Sequence, residues 1–259
     1  MGAPFVALTV AGSDPSGGAG LQADLKTFHQ FGVYGEAVVT LITVQNTLKV
    51  SRVEVLGADL VAAQIEAVLE DIPPHAAKLG ALGSEAIIEA VASLNFSCPL
   101  VIDPVMISKH GTPLMANYAV AAFRRLLLPK ATLLTPNLEE AAALTGIAVS
   151  NPAQMRDAAE MLYGLGAQSV LVKGGHLEGE AIDILLYEGE FLELPAERIS
   201  TPHTHGTGCT YSAAITAGLA KGLPLPEAVR QAKRFVHAAI RTNPGLGGGS
   251  GPVNFLASW

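Results

Sequence analysis

Short apolar runs alternate with stretches of helical periodicity along this chain, and each run stops at glycine, proline or small polar residues. Residues 5–11 form the first run and read as a buried strand broken at Gly12. A loop dense in turn formers spans 12–20, after which Leu21, Leu25, Phe28 and Phe31 recur on one helical face. A second strand over 37–44 ends at Gln45-Asn46-Thr47, and Asp59 caps a helix that Pro73-Pro74 ends. Ala76–Leu79 and Leu100–Ile102 read as short buried strands around a helix over 84–94. Residues 118–127 predict a helix, 131–134 a strand, and 138–144 a short helix closed by Gly146. Asn151-Pro152 is a cap and first-turn proline for a helix reaching Tyr163. Ser169–Val172 is the next strand, 182–194 a hairpin turning at Glu188-Gly189-Glu190, and 226–240 the last helix before a glycine-rich tail at 245–251. Strands alternating with helices predict right-handed crossovers and a mainly parallel sheet. With no long linker and no repeat of the ~20–50-residue kind, the expectation is one α/β domain over 1–259.

Composition narrows the class of partner. The 259 residues are 49% apolar, 15% charged and 5% aromatic, which suits a parallel sheet covered by helices. Net charge is −7, and no basic run is present to neutralise phosphates, so nucleic-acid binding is disfavoured. No apolar run approaches the ~18 residues of a membrane span, and Met1 leads into strand without a basic leader, so no membrane or secretory role is expected. Cys98 and Cys209 make no disulfide framework, and the cytoplasm is the expected compartment.

Polar residues gather where ligands bind in such folds, beyond the carboxyl ends of the strands. They fall in 12–20, Gln45-Asn46, Gly80-Ala81, Asp103-Pro104, Thr135-Pro136-Asn137 with Glu140, Lys173-Gly174-Gly175, and 201–209. In the last of these, Gly206 and Gly208 bracket Thr207, and Cys209 begins a run of small residues at helical spacing. Backbone N–H groups at such a helix start offer an anion site, while tight packing of small residues explains the same pattern. Each of the others has a structural reading too. Asp103 suits a turn, Lys173 suits a side chain reaching solvent, and Asn137 with Glu140 has the spacing of a capping box. Asp24, read in the first turn of its helix, complements the dipole. His176, His203 and His205 form no recognisable metal set with Cys209. The 12–20 loop lacks the Gly-x-Gly-x-x-Gly order, and no Walker A sequence occurs.

Taken together, Gly12-Ser-Asp-Pro-Ser-Gly-Gly-Ala-Gly-Leu-Gln-Ala-Asp24, Gln45-Asn46-Thr47, Asp103-Pro104-Val105-Met106, Thr135-Pro136-Asn137-Leu138-Glu139-Glu140, Lys173-Gly174-Gly175-His176 and His203-Thr204-His205-Gly206-Thr207-Gly208-Cys209 resemble, in order and spacing, hydroxymethylpyrimidine/phosphomethylpyrimidine kinases of the ribokinase-like superfamily. The resemblance runs from residue 5 to the tail at 251–255. The asparagine-x-x-glutamate element is shared across the superfamily, whereas the first and last motifs together are specific.

The resemblance implies a ribokinase-like three-layer αβα sandwich and ATP-dependent phosphorylation of an aminopyrimidine alcohol, first to the monophosphate and then to the diphosphate. It implies an anion hole at Gly206, Thr207, Gly208 and Cys209, with the Cys209 thiol, lowered by a helix N-terminus, as proton acceptor. Asn137, Glu140 and Lys173 would serve ATP, and Asp103 with Glu140 would hold Mg2+. Gly12, Asp24, Gln45, Ala81 and Val105 would meet the pyrimidine, the tail would lie near adenine, and the protein would be a homodimer. Ala81 stands where relatives often carry methionine, and Ser250 where many carry histidine. Three alternatives stay open: a pyridoxal kinase of the same superfamily, a thiol hydrolase pairing Cys209 with His203 or His205, and a non-catalytic module.

Overall fold

The computed structural model describes residues 3–109, 111–115, 118–175, 177 and 181–259; His176 lies outside them. The parallel strands are β1 (Val6–Ser13), β2 (Tyr34–Gln45), β4 (Ala76–Leu79), β5 (Leu100–Ile102), β6 (Leu133–Leu134) and β7 (Ser169–Val172). Antiparallel strands extend the sheet on both sides: β3 (Val50–Val55) beside β2, and the hairpin β8 (Ala181–Tyr187) and β9 (Glu190–Ala196) beside β7. The order is β3-β2-β1-β4-β5-β6-β7-β8-β9. The central strands are buried apolar runs, as expected where helices cover both faces.

One face carries α1 (Gly20–Gln30), α7 (Thr207–Ala220) and α8 (Leu225–Arg241), whose core includes Phe28, Ile215 and Phe235. The other carries α2 (Ala58–Asp71), α3 (Glu85–Ser93), α4 (Ala119–Ala122), α5 (Leu138–Thr145) and α6 (Pro152–Gly164), packed through Ile65, Ile87, Leu144 and Leu162. These are the three layers that the resemblance implies. Helix α7 is buried almost all round, from Thr210 to Gly218. Its small residues permit this: a Cβ on Gly218 would come within 2.9 Å of the Ala228 Cβ on α8.

Four local readings change. Strand β2 begins at Tyr34, ahead of the expected 37, because its first residues pair with β1 although Tyr34 is exposed and the next two are only partly buried. Strand β3 escaped the pattern because none of its residues is buried and charges interrupt it, as at many sheet edges. Gly57, with extended backbone, occupies the N-cap expected of Asp59, which instead lies in the first turn. The helix expected over 118–127 is α-helical only to Ala122, then widens to a π turn over Phe123–Leu127 and tightens over Leu128–Lys130. Because β1, β2 and β4 to β7 run parallel, their carboxyl ends share one edge, and the loops leaving them build the site.

Candidate active site

Two loops meet at that edge through Asp14. Its Oδ1 accepts from the Ser16 N–H (2.8 Å) and hydroxyl (2.7 Å), and its Oδ2 from the Gly18 (3.2 Å) and Ala19 (2.9 Å) N–H groups. The same Oδ2 lies 2.9 Å from His205 Nε2, tying the loop after β1 to the loop before α7. Burial opposes charge on Asp14, but these hydrogen bonds win and hold its carboxyl well below the usual range. Gly206 caps α7 with φ +78°, and a Cβ there would overlap the Gly18 carbonyl oxygen. Only glycine satisfies both the left-handed backbone and this approach.

Beyond Gly206 the first i to i−4 bond of α7 runs from the Thr210 N–H to the Gly206 carbonyl (2.8 Å), so the Gly208 and Cys209 N–H groups precede it. Lys173, at the end of β7, stands beside them, its Nζ 3.3 Å from where a Gly208 Cβ would be. That ammonium is fixed by Asp103 Oδ1 at 2.7 Å. Asp103, buried at the end of β5, also accepts from the hydroxyls of Thr135 (3.2 Å, Oδ1) and Ser212 (3.2 Å, Oδ2). Burial works against its charge, but Lys173 and Lys78 hold its carboxyl low. Asp103 thus has both oxygens on protein donors, and its visible task is to hold Lys173.

Asn137 and Glu140 do form a capping box. The Glu140 N–H donates to Asn137 Oδ1 (2.9 Å) and the Asn137 N–H to Glu140 Oε2 (2.8 Å). Capping is one role of the pair and leaves a second open, since Oε1 of Glu140 is not used by it. Glu140 is buried and lines the cavity. Burial pushes its carboxyl up to about 7, Lys173 opposing and Asp103 adding to the rise. A buried carboxylate short of positive charge, with an oxygen uncommitted to the cap, fits a hard divalent cation that keeps most of its waters. Among the described residues no group of three or more His, Cys, Asp or Glu forms a closed metal cage.

A cavity of about 640 Å³ opens over these groups, within the size range of small-molecule sites. It is lined by Gly12, Gln45, Ala81, Val105, Asp103, Asn137, Glu140, Lys173, Gly206, Thr207, Gly208 and Cys209. Asp24 is absent from its walls. It lies in the second turn of α1, fully buried, with Lys78 Nζ at 2.8 and 2.7 Å from its two oxygens and the Thr9 hydroxyl donating at 2.6 Å. The expected dipole and pyrimidine roles of Asp24 therefore give way to an ion pair. Lys78 itself lines the cavity.

Cys209 also departs from expectation. Burial raises the thiol pKa, Lys78 opposes, Asp24 and Asp103 add to the rise, and the Gly20 N–H lowers it; the outcome is about 11. Lys78 and the Gly20 N–H do not offset burial, so the thiol form is favoured. Nor do the histidines support a hydrolase pairing: His205 gives Nε2 to Asp14, and His203 Nδ1 accepts from the Gly251 N–H at 3.2 Å.

Comparison with known proteins places this geometry. The family model described as phosphomethylpyrimidine kinase matches residues 14–254. The chain belongs to the phosphomethylpyrimidine kinase family. A hydroxymethylpyrimidine/phosphomethylpyrimidine kinase from Rhizobium meliloti is 49% identical over 260 residues, covering 98% of both chains. One from Haemophilus influenzae is 47% identical over 258, covering 96% of both. Among solved structures, a pyridoxal kinase from Staphylococcus aureus in complex with AMP-PCP and pyridoxal superimposes with a TM-score of 0.90 at 38% identity, covering 99% of this chain and 95% of that one. A phosphomethylpyrimidine kinase from Clostridium difficile gives 0.81 at 44%, covering 91% and 99%.

Within this phosphomethylpyrimidine kinase framework the cavity has a lobe the sequence reading missed. It passes Lys173 and Gly175 and runs between the segment after β9 and α8, where Ile199, Val236 and Ile240 give apolar walls. The tail, expected near adenine, is not among the cavity walls and packs on the turn at Thr47 and on Pro202: the Ser250 N–H donates to the Thr47 carbonyl (2.9 Å) and its hydroxyl to the Pro202 carbonyl (3.0 Å). Gly249 is needed there, since a Cβ would overlap the Thr47 carbonyl. Asp14, Lys78 and Ser212 received no role from sequence. Lys78 did carry a signal, as the lone charge in a buried four-residue strand.

Proposed function

We propose that the protein phosphorylates 4-amino-5-hydroxymethyl-2-methylpyrimidine with ATP and then phosphorylates the monophosphate to the diphosphate, in thiamine biosynthesis. The observation that carries this reading is that one cavity joins the α7 N-terminus and Lys173, which suit a phosphate, to walls at Gln45, Ala81 and Val105, which suit a small polar ring. At the phosphate end, the Gly208 and Cys209 N–H groups, ahead of the first i to i−4 bond of α7, lie beside the Lys173 ammonium. Phosphoryl transfer asks mainly for alignment and for charge spread over the moving group. At the acceptor end, the Gln45 carboxamide can both donate to and accept from an aminopyrimidine edge, while Ala81 and Val105 face the ring. Gly12 makes room for the Leu41 side chain, whose Cδ1 would lie 2.5 Å from a Cβ there.

ATP as donor is supported by the likeness to kinases solved with AMP-PCP or ADP. Lys173 and the α7 N-terminus would hold its terminal phosphate, Asn137 and Glu140 would flank the chain of phosphates, and Ile199, Val236 and Ile240 would enclose the base. Glu140 would hold Mg2+, with Asp103 beside it through Lys173, and the ion would neutralise polyphosphate charge. Cys209 enters as a thiol that shapes and hydrogen-bonds the transfer point, not as a resting base.

Ala81 favours a second reading, since its small side chain leaves room for a larger ring such as pyridoxal. Steady-state ADP release tests the order of preference. The kcat/KM for the hydroxymethylpyrimidine should exceed that for pyridoxal, and the reverse order would make the protein a pyridoxal kinase.

A further inference from the structure

Three lysines that line the cavity each rest on an aspartate. Lys78 pairs with Asp24 at 2.7 Å, Lys173 with Asp103 at 2.7 Å, and Lys233 with Asp183 at 2.6 Å. The reading above gives Lys173 to the transferred phosphoryl group, and Lys233 lies toward the apolar lobe. Lys78 is left, on the acceptor side near Gly12, Gly80 and Ala81. An ammonium has three donors, and Asp24 takes two. Gly80 keeps a side chain off the ammonium: a Cβ there would sit 3.4 Å from Lys78 Nζ and 2.9 Å from the Ala11 Cβ.

A fully buried ion pair contributes little that an apolar pair would not, and it costs the desolvation of both ions. Tying β4 to α1 would not by itself call for charge. Resting on the two-step reading, we propose that Lys78 is the acceptor-phosphate contact, the group that lets a phosphorylated acceptor be used in the second transfer. In the first transfer the acceptor is a neutral alcohol. In the second it is a phosphate dianion that must approach another polyphosphate, and a fixed positive charge beside it offsets the repulsion. The step balances without a base. An oxygen of the acceptor phosphate bonds to the γ-phosphorus as the bond from that phosphorus to the β–γ bridging oxygen breaks. The electron pair leaves on ADP, and the dianion has no proton to give up.

The test is the ratio of kcat/KM for the monophosphate to kcat/KM for the alcohol. Lys78→Met alone leaves Asp24 buried without its partner, so the variant to measure is Lys78→Met with Asp24→Asn, which removes both charges. The ratio should fall about 30-fold, the loss expected when one charge-assisted contact to phosphate is removed, with KM for the monophosphate rising and KM for ATP little moved. An unchanged ratio, whether both transfers fall together or neither falls, overturns the proposal. In the unaltered protein, the 15Nζ resonance of Lys78 should shift on adding the monophosphate and not on adding the alcohol; no shift also overturns it, even if the double variant does not fold. A wild-type protein that phosphorylates neither acceptor would refute the two-step reading itself, and the Lys78 role with it.

Discussion

At Cys209 two influences on one sulfur compete, and their balance decides what the residue can do. Burial and the Asp24 and Asp103 carboxylates favour thiol; Lys78 and the Gly20 N–H favour thiolate, and the pKa rises to about 11. Alkylation of Cys209 in a Cys98→Ser background should therefore speed up with pH well past 9, toward that value. A plateau by pH 8 would restore the thiolate base. Glu140 makes a second residue-scale prediction. Its carboxyl is raised from an ordinary ~4.3 to about 7 in the fold. Its proton-bound form is thus favoured by folding, and that stabilisation is complete below the ordinary value and lost as pH rises through about 7. Ligand-free protein should lose on the order of 3 kcal/mol across that window from this group. Glu140→Gln, which keeps the cap, should flatten the melting-temperature profile between pH 5 and 8. An identical profile would mean that the carboxyl titrates normally. Asn137, Glu140 and Asp103 were legible because they interrupt apolar runs at strand ends. The Cys209 pKa was not, because it depends on Asp24 and Lys78, which only the fold brings beside it.

At the scale of elements, the site depends on two loops holding each other in register. Asp14 and His205 supply the polar tie, and Gly206 supplies the shape. Gly206→Ala should lower the melting temperature by roughly 5–10 °C through left-handed strain and backbone overlap, with a loss of turnover beyond what stability explains. Gly146→Ala is the control: it has a similar φ, +81° against +78°, but no atom within 4 Å of its added Cβ. It should lose stability alone. Equal activity losses in the two variants would separate the Gly206 turn from the chemistry. Elements with strong apolar runs or clear caps, such as β4, β5, α3 and α5, were readable from sequence to within a residue or two. Strand β3 was not, because an exposed edge strand buries nothing, and the π turn over Phe123–Leu127 was not, because apolar periodicity does not distinguish it from α-helix.

For the whole molecule, six parallel strands deliver their carboxyl ends to one edge, and one cavity spans the walls at Gln45, Ala81 and Val105, the α7 N-terminus and an apolar lobe against α8. Sequence order alone brought Gly12, Gln45, Ala81, Asp103, Asn137, Glu140, Lys173 and the 206–209 turn to that edge. It did not show that the tail glycines serve contact with the Thr47 turn, and it missed the α8 lobe, whose walls are ordinary apolar residues. The central claim is that this one cavity performs two successive phosphoryl transfers. Its most direct test is a mass-spectrometric time course of purified protein with ATP, Mg2+ and 4-amino-5-hydroxymethyl-2-methylpyrimidine. The monophosphate should rise and then give way to the diphosphate, with ADP formed twice for each diphosphate. A time course with neither phosphorylated product, under conditions where pyridoxal is turned over, would contradict the account.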